Sequence, residues 1–174
     1  MSRKGKFGTV EITVKGSELK VGDKAPNFKA DNMDLSAYDF YKDEEGKIKI
    51  ISVVPSLDTD VCELQTKLFQ RAAEQFSDDI VVVTVSNDLP FGQARFKRVK
   101  KTDNIKFVSA YNNNEFSDKY GTLIEELKLL NRSVFVVDKD NTIQFTNYLE
   151  QNTDLPQYSE AIDVALSLEE REEE

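Results

Sequence analysis

Cys62 is the only cysteine of the chain and stands in "PSLDTDVCELQT", seven residues after Pro55 and three after Thr59. A lone thiol is either a nucleophile or a small hydrophobe, and free cysteine is among the residues most often buried and inert. Its neighbours bear on the choice. A strand ending at Pro55, a short polar loop and apolar positions at helical spacing from Val61 make Thr59 a helix N-cap and Cys62 the third helical residue. In a capping box that third side chain turns back toward the cap, so the sulfur is aimed at the Thr59 hydroxyl and the free amides of the first turn. Those groups favour an anion. A thiol with a pKa near 8.5 is about 3% thiolate at pH 7, and a drop to about 6 makes it about 90% thiolate, a gain of roughly thirty-fold in reactive species. Asp60, the first helical residue, acts in the opposite sense: it suits the helix dipole but repels a nearby thiolate.

A cation elsewhere would compensate, and the candidate is Arg132 in "LLNRSVFVV", at the entrance to a buried strand where a solvated arginine is not expected. The competing reading has Arg132 capping the helix before it through carbonyl groups. Other chemistries close quickly. The chain has no histidine, which removes Ser-His, Cys-His and His-metal arrangements together, and one cysteine excludes an internal disulfide and any metal-ligand spacing. With 23 Lys and Arg against 32 Asp and Glu, the formal charge of -9 disfavours nucleic acid and anionic membranes as partners. The basic cluster Arg95, Lys97, Arg98, Lys100, Lys101 reads as a solvated helix face. The amino-terminal "MSRKGKFGTVEITVKG" lacks an apolar h-region and no stretch approaches the roughly 18 apolar residues of a membrane span, so a cytoplasmic protein is expected.

These residues need elements to position them. "TVEITV" at residues 9–14 alternates as a strand and suggests an amino-terminal hairpin, with "KGSELKVGDKAPNF" as a connecting stretch. "KIKIISVVPS" from Lys47 is a strand covered on both faces and ended by Pro55. Val61, Leu64, Leu68, Phe69 and Ala72 mark the apolar stripe of the helix that carries Cys62, and "DIVVVTVS" from Asp79 is the next buried strand. A shorter helix follows Pro90, and "IKFVSAY" from Ile105 is another strand. "FSDKYGTLIEELKLLNR" is partly helical with a break at Gly121, and "SVFVVDKDNTIQFTNYL" is a hairpin around a polar turn at residues 139–141. A last helix is expected from Leu155 to Leu168 with Tyr158, Ala161, Ile162, Ala165 and Leu166 on one stripe, followed by an acidic, solvating tail over about residues 169–174. The chain length fits one domain spanning residues 1–174, and the order of elements predicts a three-layer α/β sandwich with a mixed sheet.

Four ordered segments, "LKVGDKAPNF", "SVVPSLDTDVCELQT", "SNDLPFGQARF" and "KYGTLIEELKLLNRSVFVVDKDNTI", resemble the peroxiredoxin family, most closely its bacterial thiol peroxidase subgroup of the atypical two-cysteine class. The resemblance covers nearly the whole chain. It implies a thioredoxin-like fold with an added amino-terminal hairpin, reduction of hydrogen peroxide and alkyl hydroperoxides, no metal or organic cofactor, and a homodimer. The family pattern of Pro, Thr or Ser, and Cys falls on Pro55, Thr59 and Cys62, and its essential arginine falls on Arg132. The resemblance thus implies that the Cys62 thiolate attacks a peroxide oxygen, that Thr59 orients the peroxide, that Arg132 stabilises the charge and that Pro55 shields the pocket. Relatives carry a second, resolving cysteine after the "RF" of the "DLPF" segment, where this chain has Lys97. A one-cysteine cycle completed by an external thiol reductant is therefore expected. Leu57, Phe91 and Leu127 are candidate apolar neighbours for alkyl hydroperoxides. The alternative is a thioredoxin-fold redox sensor with little turnover, which the absent second cysteine favours; an inactive copy would have no physical need of all four site residues.

Overall fold

Every residue from Ile48 to Val53 is buried, the condition of a strand covered on both faces. The protein's structure is a computed structural model that describes residues 1–173. In chain order the elements are β1 (Ser2–Phe7), β2 (Val10–Lys15), β3 (Lys29–Asn32), β4 (Ala37–Asp39), α1 (Phe40–Asp43), β5 (Ile48–Val53), α2 (Asp60–Ala73), β6 (Ile80–Ser86), α3 (Pro90–Lys100), β7 (Lys106–Ser109), α4 (Glu115–Tyr120), β8 (Leu123–Ile124), β9 (Leu129–Leu130), β10 (Ser133–Val137), β11 (Ile143–Tyr148) and α5 (Tyr158–Glu173). The main sheet runs β11-β10-β5-β6-β7-β3-β4. β6 lies parallel to both β5 and β7, and every other pair is antiparallel. A second sheet, β1-β2-β8-β9, is the expected amino-terminal hairpin extended by a short second one.

Alternation along the central strands divides the interior into two cores. Ile51, Val53, Val83, Val85, Phe135 and Val137 face one way, onto Phe28, Tyr38, Phe40 and the α4 residues Phe116 and Tyr120. Ile48, Ile50, Val82, Val134 and Val136 face the other, onto Phe69 of α2, Phe96 of α3 and Ala161, Ala165 and Leu168 of α5. The result is the expected three-layer sandwich. Each fully buried Phe contributes about 1.5–3 kcal/mol of apolar transfer energy, and Phe28 adds ring contacts to Phe40 at 5.0 Å and Phe116 at 4.8 Å.

The structure departs from the sequence expectations in four places. The apolar stripe assigned to α2 is displaced: the buried residues are Cys62, Gln65, Thr66, Phe69 and Gln70, while Leu64 is 46% exposed. Apolar spacing cannot register polar side chains that are buried because they are hydrogen-bonded. The "FSDKYGTLIEELKLLNR" segment is helical as far as the expected break at Gly121, but the short strands β8 and β9, not expected there, follow it. Gly121 ends α4 in the left-handed conformation, φ 63°, and a Cβ there would collide with the Ser17 carbonyl oxygen. The last helix starts at Tyr158 and continues to Glu173, past the expected boundary at Leu168, with Glu169 accepting a hydrogen bond from the Ser77 hydroxyl. On it Leu168 is buried and Leu166 partly exposed; of the expected tail, Glu174 lies outside the described residues. Strands β3 and β4 and helix α1 were not expected, since elements of three or four residues are too short to show a period.

One pairing positions the site. Ser133, the first residue of β10, is registered against Val53, the last of β5. Arg132 therefore stands at the same end of the sheet from which the Pro55–Thr59 loop leaves.

Candidate active site

Pro55 is buried two residues after the end of β5, and as a proline it brings no N–H that would need a partner. Thr59 has the extended backbone of an N-cap, and its Oγ1 accepts a hydrogen bond from the Cys62 amide at 3.4 Å. The same hydroxyl donates its proton to the Ser56 carbonyl at 3.1 Å. Cys62 is a free thiol with 0% exposure, and its carbonyl accepts from Thr66 Oγ1 at 2.7 Å. The expected cap and the expected third helical position of Cys62 thus coincide with the helix start. Asp60 is exposed, so water screens its carboxylate from the buried sulfur.

Arg132 is 1% exposed. Its Nη1 donates to Gln65 Oε1 at 2.9 Å, its Nε to the Asn152 carbonyl at 2.8 Å, and its backbone amide to Asn152 Oδ1 at 2.7 Å. The capping alternative fails, because the element before Arg132 is strand β9 and its acceptors lie on α2 and on the segment after β11. All of those acceptors are neutral, and no ion pair among the described residues includes Arg132. A buried guanidinium held only by neutral groups has no carboxylate partner to offset its charge. Gln65 follows Cys62 by three residues on the buried side of α2, which puts the thiol and the guanidinium's acceptor on one helix face. Gln65 also donates to Ser52 Oγ at 2.9 Å, fixing its amide in one orientation.

Gln65 and Asn152 were missed in the sequence. Gln65 carried a usable signal, three residues from the cysteine on the same face; Asn152, in a loop 20 residues from Arg132 in sequence, carried none. A third unanticipated contributor is Asp88 of the "SNDLPF" segment. Its carboxylate accepts from Ser56 Oγ at 2.9 Å and from the Leu57 amide at 2.8 Å. Beside this loop runs a groove of about 460 Å³ lined by Leu57, Asp58, Glu63, Arg95, Phe96 and Lys100 among others. Lys97 faces away from it, into a second hollow with Met33, Tyr38, Lys106 and Phe107. Of the three candidate apolar neighbours, only Leu57 lines the groove; Phe91 is 65% exposed and Leu127 40% exposed. The expected solvated basic face is tied in part, because Lys100 of α3 pairs with Glu63 of α2 at 2.9 Å. No helix among the described residues is long and apolar enough to cross a membrane.

Comparison with known proteins gives concordant matches. The redoxin family matches residues 20–162. The chain is 42% identical over 154 residues to a thiol peroxidase of Listeria innocua, covering 88% of this chain and 92% of that protein. It is 39% identical over 157 residues to a thiol peroxidase of Bacillus subtilis, covering 90% and 93%. Among solved structures, a peroxiredoxin-like protein from Aquifex aeolicus superposes with a TM-score of 0.87 at 32% identity, covering 97% of this chain and 98% of that one. Mycobacterium tuberculosis AhpC superposes with a TM-score of 0.73 at 20% identity, covering 90% and 96%, a likeness of fold alone.

Proposed function

The chain belongs to the redoxin family, and on that footing we propose that it is a thiol-dependent peroxidase whose nucleophile is Cys62. Its fold is the thioredoxin-like fold of the peroxiredoxins. The observation that carries the assignment of the site is a fully buried thiol at a helix start with, three residues further on the same buried helix face, Gln65 accepting from a fully buried arginine whose acceptors are all neutral. In the first step the Cys62 thiolate attacks the terminal oxygen of the hydroperoxide. The S–O bond forms as the O–O bond breaks, sulfur is oxidised by two electrons, and the departing hydroxide or alkoxide takes a proton to become water or alcohol. Thr59 turns its hydroxyl proton from Ser56 to the peroxide, Arg132 stabilises the charge spreading over the O–O bond, and Pro55 excludes water beside the sulfur.

Cys62 is the only cysteine, so the sulfenic acid is reduced from outside. An external thiol displaces water to give a mixed disulfide, and a second thiolate displaces Cys62 from it, leaving a small-molecule or partner disulfide and the regenerated thiolate. The groove beside Leu57 and Asp58 is the approach we assign to that reductant. Peroxide equimolar to protein should add one oxygen to Cys62 on the time scale of a quench-flow mass measurement. A Cys62 left unmodified under conditions that oxidise a free small thiol would overturn the peroxidase reading. A redox sensor with little turnover is the second reading, favoured by Lys97 in the place of a resolving cysteine. Sustained peroxide consumption with a general thiol would exclude it.

Two further assignments go with this reading. We place the protein in the cytoplasm, since a catalytic thiol without a disulfide partner persists in a reducing compartment. A homodimer is supported by Leu89 and Phe91 at the start of α3 and Leu127 on the β8–β9 turn. All three are large, apolar and exposed, and the two places are tied by the Asn87 Nδ2 to Lys128 carbonyl bond at 2.8 Å. Sedimentation of the reduced protein tests it.

A further inference from the structure

The segment between Pro55 and Thr59 has no regular structure, yet it sets the start of the helix on which the thiol sits. One carboxylate from another element holds it. Asp88 follows β6, and its two oxygens take the Ser56 hydroxyl at 2.9 Å and the Leu57 amide at 2.8 Å. Asp88 is itself fixed from two strands: its amide donates to Ser86 Oγ at 3.3 Å, and its carbonyl accepts from Ser109 Oγ at 2.5 Å. From Ser56 the bonding continues to the sulfur's own residue. The Ser56 carbonyl takes the Thr59 hydroxyl proton at 3.1 Å and the Thr59 amide at 3.3 Å, and the Thr59 oxygen takes the Cys62 amide at 3.4 Å.

We propose that Asp88 is a positioning residue for peroxide attack, setting through Ser56 where the single proton of the Thr59 hydroxyl points. This rests on the peroxidase reading of Cys62. A hydroxyl has one proton to donate, and in the resting site it is parked on the Ser56 carbonyl. Turning that proton to a peroxide oxygen leaves the carbonyl with the Thr59 amide as its donor, so the exchange orphans no buried group. It requires Ser56 to stay in place while Thr59 turns. A loop free to drift by an ångström would lose both the parked and the productive geometry, and displacement on that scale costs on the order of a hundredfold in rate. The same clamp keeps the sulfur covered, since a thiol with 0% exposure meets a bulky reagent only when the loop and the first turn of α2 move.

The two effects have opposite signs, which distinguishes positioning from general loosening. The second-order rate of Cys62 with hydrogen peroxide is measured by quench-flow mass spectrometry, and its rate with a bulky aromatic disulfide by the release of coloured thiolate. Asp88→Ala should lower the first at least tenfold and raise the second. Asp88→Asn should stay within about threefold of the parent on both, because the side-chain oxygen still accepts from Leu57 and the amide donates to Ser56 Oγ. Ser56→Ala severs the same link from the other side and serves if Asp88→Ala does not fold. Val137→Ala, a cavity in β10 at the far end of the sheet, controls for lost stability and should leave the ratio of the two rates unchanged. A parent that reacts quickly with peroxide while neither Asp88→Ala nor Ser56→Ala moves the ratio would overturn this proposal alone, as would an equal shift in Val137→Ala. A parent no faster than free cysteine would overturn the peroxidase reading and this proposal with it.

Discussion

Replacing Gln65 by Leu tests whether the cysteine helix and Arg132 act as one unit. Leucine keeps the bulk of the buried side chain but removes the Oε1 that accepts from Arg132 Nη1 at 2.9 Å and the Nε2 that donates to Ser52 Oγ at 2.9 Å. The first loss dominates. It leaves a guanidinium N–H buried without an acceptor, at about 1.5–3 kcal/mol for a charged donor, and the neutral bond to Ser52 adds about 1 kcal/mol. Added apolar burial returns part of this, so the expected net loss is about 2–4 kcal/mol, or a fall in Tm of roughly 5–15 °C for a chain of this size. With its anchor gone, the guanidinium no longer points where charge develops, and the peroxide rate should fall by about tenfold to a hundredfold. The decisive assay is a double-mutant cycle with Arg132→Met, read in both unfolding free energy and peroxide rate. If Gln65 acts through Arg132, the double variant is no slower than Arg132→Met alone, and the stability losses fall short of additivity by about 1–3 kcal/mol, because no orphaned guanidinium is left. Additive losses on both measures, or a Gln65→Leu variant with the parental peroxide rate, would refute the reasoning.

Thr59→Val removes the cap oxygen of α2 and the hydroxyl proton together, so it should cost about 1 kcal/mol in stability and slow peroxide oxidation of Cys62. Thr59→Ser should restore both, and a Val variant with the parental rate would remove Thr59 from the chemistry. Lys49 gives a pH prediction. Burial pushes its amine down to about 8 from the ordinary 10.5, so above pH 8 the folded chain releases a proton that the unfolded chain keeps until about 10.5, and stability rises across that window. The full shift would be worth about 3 kcal/mol; with part of it screened, a gain of about 1–2 kcal/mol is expected. The trend reverses above pH 10, because burial raises Tyr38 and Tyr120 and pushes Tyr148 up to about 12, so the unfolded tyrosines ionise first. Chemical unfolding from pH 7 to 11 should show the maximum, and Lys49→Met should abolish the rise but not the fall. Gly121→Ala should cost at least about 2 kcal/mol by thermal unfolding, since it combines left-handed backbone with a Cβ driven against the Ser17 carbonyl.

The long elements were legible because their information is local. β5, β6 and β10 are buried on both faces and read as apolar runs, and the helix start at Thr59 could be inferred from one cap residue, one loop and one change of period. The buried face of α2 was not legible for the same physical reason. Its interior positions include Gln65, Thr66 and Gln70, and a polar residue reads as surface until its partner is known. Gln70 exchanges two hydrogen bonds with Asn104 at 2.8 Å each, Thr66 bonds to the Cys62 carbonyl, and Gln65 bridges Ser52 and Arg132. Each partner is supplied by tertiary contact or by helix geometry, and none appears in a hydropathy period. Asp88 was unreadable in the same way: it is close to Ser56 only because β6 lies parallel to β5, which brings the turns that follow both strands to one end of the sheet.

That parallel pairing also gathers the residues of the proposed site, which includes no histidine, at one end of the sheet. The β5 and β6 turns deliver Thr59 and Asp88 to the same end of the sheet as the start of β10, where Arg132 lies buried among neutral acceptors. Arg132 is the buried cation at that end, while the carboxylate of Asp88 is directed to the Ser56 hydroxyl and the Leu57 amide. If a carboxylate replaced Gln65 as the partner of Arg132, the cation would be neutralised and the thiolate would have to rely on first-turn amides and one hydroxyl. On the proposed mechanism, the neutral amide at position 65 is what would leave the arginine's charge available to the sulfur and to the breaking O–O bond.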